Sequence, residues 1–194
     1  MYTVIGHKTN RAFRVIWMLE EVEQPYEYIG AKPHSEELLK ANPSGKSPAL
    51  LVDGEAITDS AAIMTYLADK HGKLTYPAGT LERARQDAAL HLVLDEIDAV
   101  LWTAARHSFI LPEDKRVPDV KESLKWEYSR NLNRIMENMK GDYLAGDMVT
   151  VPDLILAHCG SWAMAAKFPT DNEAFKAYIK RLRARPAFER AVNV

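Results

Sequence analysis

The sequence has one cysteine, Cys159, among 194 residues. A lone thiol excludes an internal disulfide, a CxxC redox pair and a multi-cysteine zinc site, so any thiol chemistry must use a thiol brought in from outside. No apolar run approaches the roughly 18 residues of a membrane span, and the opening "MYTVIGHKTNRAF" lacks the long apolar core of a signal peptide. The expectation is a soluble protein of the cytoplasm with no membrane partner. Neither sign of charge dominates: 25 basic and 27 acidic residues give a net charge of -2, without a long block of either. That balance leaves no electrostatic footprint for nucleic acid or another polyanion. The histidines show no HxxxH or HExxH spacing, so no metal is expected. Internal repeats and low-complexity segments are missing as well.

What is present is enough apolar material, 47% of residues, to bury an ordinary globular core. The two parts of the chain differ in texture. Tyr2 to Ile5, Pro25 to Ile29 and Pro48 to Val52 read as strands, and Asp53-Gly54 is a hairpin signal that lets "EAI" pair with "ALLV". Between them, Ala12, Val15, Ile16, Leu19 and Val22 recur at helical spacing, Ser35 to Ala41 can form a short helix, and Ile63, Tyr66 and Leu67 mark another. The order is β-α-β-α-β-β-α. From Leu81 strand signals fade. Leu90, Leu94, Ile97 and Leu101 form one helical stripe, and Leu124, Tyr128, Leu132, Ile135 and Met139 another. The Pro and Gly of "LTYPAGT" place a linker at 76–80, between an α/β domain over 1–75 and an all-helical domain over 81–194.

Two local patterns decide between structure and chemistry. In "MVTVPDLIL", Thr150 and Asp153 have capping-box spacing and Pro152 falls in the first turn, which makes Asp153 structural rather than catalytic. In "NPSGKSPALLVDG", Gly45-Lys46-Ser47 has the look of a P-loop tail. Lys40 stands where the first glycine of that motif belongs, and Pro48 followed by a β run excludes the helix whose N-terminus would hold a phosphate. Ser47-Pro48 before a strand can instead form a cis-proline turn that leaves the Ser47 N–H and C=O to an extended peptide, or a trans proline that only starts the strand.

Taken together, "RAFRVIWMLEEVEQPYEYI", "NPSGKSPALLVDG", "ITDSAAIMTYLADKHG" and "YLAGDMVTVPDLILAH" resemble the cytosolic glutathione S-transferase family, in the right order and over nearly the whole chain. The resemblance implies a thioredoxin-like βαβαββα domain, a helical-bundle domain, and a homodimer with its active cleft between the two domains. It places Pro48 at the family's cis-proline, Ser47 where the backbone pairs with the cysteinyl unit of glutathione, and Asp59 and Ser60 at the acidic-serine pair that holds the γ-glutamyl end. The reading that Thr58, Asp59 and Ser60 are only helix caps stays open beside it.

At the position after the first strand the family places Ser, Tyr or Cys, and "GHKTNRAFRV" has none near the helix start. The catalytic position falls on Thr9, whose hydroxyl is the preferred donor to the sulfur, or on Asn10, an amide donor and favoured cap, with Arg11 adding positive charge. The task of such a donor is to favour thiolate over thiol, since a free thiol titrates near ~8.5. Lys46, Lys40 and His34 can meet the glycyl carboxylate or be solvated charges. Trp102, Arg106 and Phe109 can line a pocket for the electrophile or belong to the core. Cys159, inside an apolar helix, reads as an inert thiol. The function implied is transfer of the glutathione thiolate to an electrophilic small molecule. Glutathione-dependent reduction of peroxides or disulfides on the same scaffold, or a binding protein without turnover, are the alternatives.

Overall fold

Four short strands build one sheet in the computed structural model, which describes every residue from Met1 to Val194. They are β1 (Tyr2–Ile5), β2 (Tyr26–Ile29), β3 (Ala49–Val52) and β4 (Glu55–Thr58), in the order β2-β1-β3-β4. Tyr2 faces Tyr26 in the parallel β1–β2 pair, Ile5 faces Ala49 in the antiparallel β1–β3 pair, and Ala49 faces Thr58 in the hairpin. Central β1 is buried along its length, whereas the edge strands β2 and β4 are largely open, as expected for strands that border solvent. Asp53 and Gly54, with φ of 51° and 94°, close the two-residue hairpin the sequence signals.

Three helices complete this layer: α1 (Ala12–Val22), α2 (Glu36–Ala41) and α3 (Ser60–His71). The βαβαββα order therefore stands as read. The Ser35 hydroxyl accepts from the Leu38 N–H to start α2, and α3 ends on Gly72 at φ 63°.

The remaining elements are helical: α4 (Leu81–Val93), α5 (Ala99–Ala105), α6 (Val120–Asn138), α7 (Val151–Ala165), α8 (Glu173–Arg183) and α9 (Pro186–Val192). The chain divides into two units, one of residues 1–78 with 183–194 and one of residues 79–182. Residues 183–194 thus return to the α/β unit, where α9 packs on α1. Phe188 meets Phe13 and Trp17 edge-on, with ring centroids 5.7 and 4.9 Å apart. Arg185 donates to both oxygens of buried Glu21 at 2.7 and 2.6 Å, and Arg190 pairs with Glu20 at 2.6 Å. Covered by α3 and α9, α1 buries Trp17, Met18 and Glu21 in addition to its apolar stripe.

In the helical unit, π-helical turns follow α4 at Leu94–Asp98 and α5 at Arg106–Ile110. At the junction Val93, three residues after buried Leu90 on α4, is buried and Leu94, where the first π turn begins, is only half-buried, while Ile97 and Leu101 stay inside. Likewise α6 buries Leu124, Tyr128, Leu132 and Ile135, but Met136 takes the place of Met139, which lies past the helix end. At the start of α7 the buried Asp153 carboxylate accepts from the Thr150 N–H and hydroxyl, each 2.8 Å, the Leu144 N–H at 2.9 Å and the Tyr178 hydroxyl at 2.7 Å. Burial pushes this carboxyl above its ordinary value and the four donors oppose that shift. Its role is the structural one its spacing indicates.

Candidate functional site

Strand β1 runs into Gly6, which adopts φ 149°. A β-carbon there would lie 2.2 Å from Ser47 Oγ and 2.9 Å from Ala12 Cβ, so only glycine lets the Ser47 turn and the start of α1 meet at the strand end. Asn10 joins them. Its Oδ1 accepts from the Ala12 N–H and from the Ser47 hydroxyl, both at 2.9 Å. The backbone donor fixes which end of the amide is oxygen, and the Nδ2 donors are used by no other group of the chain. Half-buried Asn10 therefore caps α1 with one atom and holds out two N–H donors with another.

Thr9 has different surroundings. It is exposed, its N–H donates to His7 Nδ1 at 3.3 Å, and its hydroxyl lies 2.8 Å from the same nitrogen. A ring nitrogen that accepts an N–H carries no proton of its own, so the hydroxyl donates to it as well. The Thr9 hydroxyl proton is thereby directed at the imidazole. Arg11, half-buried, is the last residue before α1 and makes no side-chain cap.

Ser47-Pro48 is cis. Neither the N–H nor the C=O of Ser47 is taken up by another group of the chain. The preceding loop is organised by buried Asn42, whose Oδ1 accepts from the Ser44 N–H and hydroxyl and whose Nδ2 donates to the Lys46 carbonyl at 2.6 Å. Gly45, at φ 66°, packs on His34, where a β-carbon would lie 2.2 Å from the ring. Lys46 is exposed, and Lys40 is paired with Glu36 at 2.8 Å on the surface. The glycine-lysine-serine sequence thus ends a loop that leads into β3, not into a phosphate-binding helix.

At the other end of the hairpin, Asp59 adopts φ 71° and caps α3, its Oδ1 accepting from the Ala61 and Ala62 N–H groups at 2.9 and 3.1 Å. Its Oδ2 is left over. Ser60, only 3% exposed, opens the helix, and its hydroxyl accepts from Nη1 of buried Arg14 at 3.3 Å. The structure brings Asn10 to Ser47, and Arg14 to Ser60. Neither His7 nor Arg14 was singled out from the sequence. A charged residue inside the apolar run "AFRVIWML" is the signal that points to Arg14.

Within the helical unit, Trp102 is half-buried on α5, and Arg106 opens the second π turn, its Nη2 donating to Thr103 Oγ1 at 3.0 Å while its buried Nε has no partner. Phe109 is 66% exposed and so is not a core residue. Cys159 is fully buried with its sulfur 3.6 Å from Asp98 Oδ2, closed to any incoming electrophile. No helix is long and apolar enough to cross a membrane.

Residues 2–69 match the family model of the glutathione S-transferase N-terminal domain. The chain is similar to glutathione S-transferase GstA of Escherichia coli O157:H7, 27% identical over 165 residues that cover 82% of this chain and 79% of that one. It is 31% identical over 159 residues to a zeta class glutathione S-transferase of Euphorbia esula, covering 77% of this chain and 69% of the relative. Among solved structures, a Phanerochaete chrysosporium glutathione transferase in complex with oxidised glutathione superposes with a TM-score of 0.86 at 26% identity, over 99% of this chain and 94% of that one. With the βαβαββα layer, the cis Ser47-Pro48 turn and these matches in hand, the chain belongs to the glutathione S-transferase family.

Proposed function

We propose that the protein is a glutathione transferase in which Asn10, rather than Thr9, supplies the donor to the glutathione sulfur. The carrying observation is the 2.9 Å bond that ties Asn10 to Ser47, with unused N–H donors on one side of it and an unpaired backbone N–H and C=O on the other. The cysteinyl unit of glutathione pairs with Ser47 as an added strand beside Pro48, which leaves its sulfur facing the start of α1. The Asn10 amide, the helix N-terminus and the charge of Arg11 favour the thiolate. The thiol proton leaves to solvent, the sulfur forms a bond to the electrophilic carbon, and the leaving group departs with its electron pair. Catalysis comes from proximity and from charge stabilisation, because the nucleophile arrives with the cosubstrate.

Asp59 takes the γ-glutamyl ammonium on its spare oxygen, Ser60 the adjoining carboxylate, and Lys46 the glycyl carboxylate. Trp102, Arg106 and Phe109 line the pocket for the electrophile, a reading supported by the exposed Phe109 ring and the partnerless Arg106 Nε. A homodimer in the cytoplasm, where glutathione is kept reduced, fits this chemistry. Calorimetry with glutathione, followed by turnover of a chloroaromatic, tests the proposal. Binding with conjugation is expected, and Thr9→Ala should change turnover less than about threefold, since that hydroxyl serves His7. Absence of glutathione binding, or binding without conjugation, would overturn it.

A further inference from the structure

A hydroxyl that accepts a hydrogen bond still has its own proton to place. Ser60 accepts from Arg14 Nη1 at 3.3 Å, is 3% exposed, and finds no acceptor in the chain for that proton. A buried donor without an acceptor carries a desolvation penalty, and it points to a ligand oxygen that completes it. The donor on the other side is a guanidinium, which cannot release its proton and so cannot reverse the direction of the bond. Ser60 is therefore held as an acceptor toward Arg14, and its own proton is left to be donated elsewhere. Asp59, adjacent in sequence, presents the opposite polarity, a carboxylate with one oxygen spent on the α3 cap and one remaining.

A donor polarised by a cation next to a free anionic oxygen is complementary to an α-amino acid head group, whose carboxylate and ammonium sit on one carbon. We propose that Arg14 is a positioning residue that sets Ser60 as the donor to the α-carboxylate of the γ-glutamyl unit, and so governs selectivity for that unit. The inference rests on the glutathione reading given above. Arg14 does not touch the ligand; it acts through the Ser60 hydroxyl. Its contribution appears only with ligands that carry the α-carboxylate, which separates it from a merely structural role.

The experiment compares glutathione with the analogue whose γ-glutamyl unit lacks its α-carboxylate, 4-aminobutyryl-cysteinylglycine, as alternative thiol substrates of the same preparation. The readout is the ratio of their kcat/KM values, which stays measurable when binding is weak. Arg14→Lys, which keeps the buried charge but not the fork geometry, is expected to lower that ratio about tenfold, mainly through KM for glutathione. An equal fall for both thiols would overturn the proposal and leave Arg14 as a packing residue. Should Arg14→Lys fail to fold, Ser60→Thr retains the hydroxyl while its methyl restricts the rotamer. The same tenfold fall is expected there, and a wild-type ratio would overturn the proposal. A wild-type enzyme that turns over both thiols equally well overturns the proposal at the subsite itself. A wild-type enzyme that uses neither refutes the transferase reading instead.

Discussion

Replacing Asn10 by aspartate separates the two jobs assigned to this side chain. Oδ1 now accepts from the Ala12 N–H and the Ser47 hydroxyl. Aspartate can do the same, and Asn and Asp are about equal as N-caps, so stability should change by no more than about 0.5 kcal/mol. The donor side is lost altogether. Removing one charge-assisted bond to a thiolate costs about 1.5–3 kcal/mol, and a carboxylate in its place adds repulsion, with about 4 kcal/mol as the unscreened figure for unit charges 4 Å apart at an effective dielectric of 20. Even after generous screening, the sum raises the bound thiol by about two pKa units or more, at 1.36 kcal/mol per unit. At neutral pH the thiolate fraction, and with it kcat/KM, should fall about a hundredfold. Calorimetric affinity for glutathione at the same pH should hold nearer the wild-type value, because the thiol form meets no new repulsion. The measurements are the pH profile of kcat/KM, whose limb should move to higher pH, and the thiolate absorbance of the binary complex. A wild-type profile in a normally folded Asn10→Asp protein would show that Asn10 does not face the sulfur.

Other perturbations follow from the same contacts. Gly6→Ala places a methyl 2.2 Å from Ser47 Oγ, which should cost about 1–3 kcal/mol and weaken glutathione binding more than tenfold while circular dichroism stays native; unchanged affinity would mean the turn tolerates displacement. Arg185→Ala strips Glu21, whose side chain is 5% exposed, of its bidentate partner and should lower urea stability by about 3 kcal/mol, part of which Glu21→Gln should restore in the double variant. The His71 imidazole, which lies 2.9 Å from the Tyr2 hydroxyl, is held below its ordinary range, first by burial and then by Lys70 and Lys73. A base with a depressed folded value contributes stability above about pH 6.5 that is lost as the pH falls through that folded value. Melting temperature should therefore decline on mild acidification, and His71→Gln should flatten the decline.

Where the sequence was legible, one local rule acted alone. An apolar β-prone run and a two-residue turn placed the β3–β4 hairpin, and the spacing of Thr150 and Asp153 identified a cap that the structure completes with donors from Leu144 and Tyr178. Where it was not, the answer depended on distant chain or on side-chain direction. Helix α1 reads as amphipathic because periodicity sees one face, yet Trp17 and Glu21 are buried by α9, which lies about 170 residues further along the chain. The stripe through Leu94 misses by one residue because three and four residues on from Leu90 are both compatible with one helix face, and the apolar pair Val93-Leu94 does not say which turns inward. Thr9 and Asn10 are neighbours with comparable donor chemistry, and only the placement of His7 on one side and Ser47 on the other tells them apart.

The return of residues 183–194 to the first unit also has a meaning for synthesis on the ribosome. The strands and helices that carry Asn10, Ser47 and Ser60 are translated first, but Phe13, Trp17 and Glu21 lack their covering partners Phe188 and Arg185 until the far end of the chain is made. At translation rates of ~5–20 residues per second, that leaves an apolar helix face and a carboxylate waiting for roughly ten to thirty seconds while the helical unit is produced. The thiol-binding half is encoded first and finished last, so its exposure to chaperones and to premature pairing is set by the length of the insertion between its two pieces.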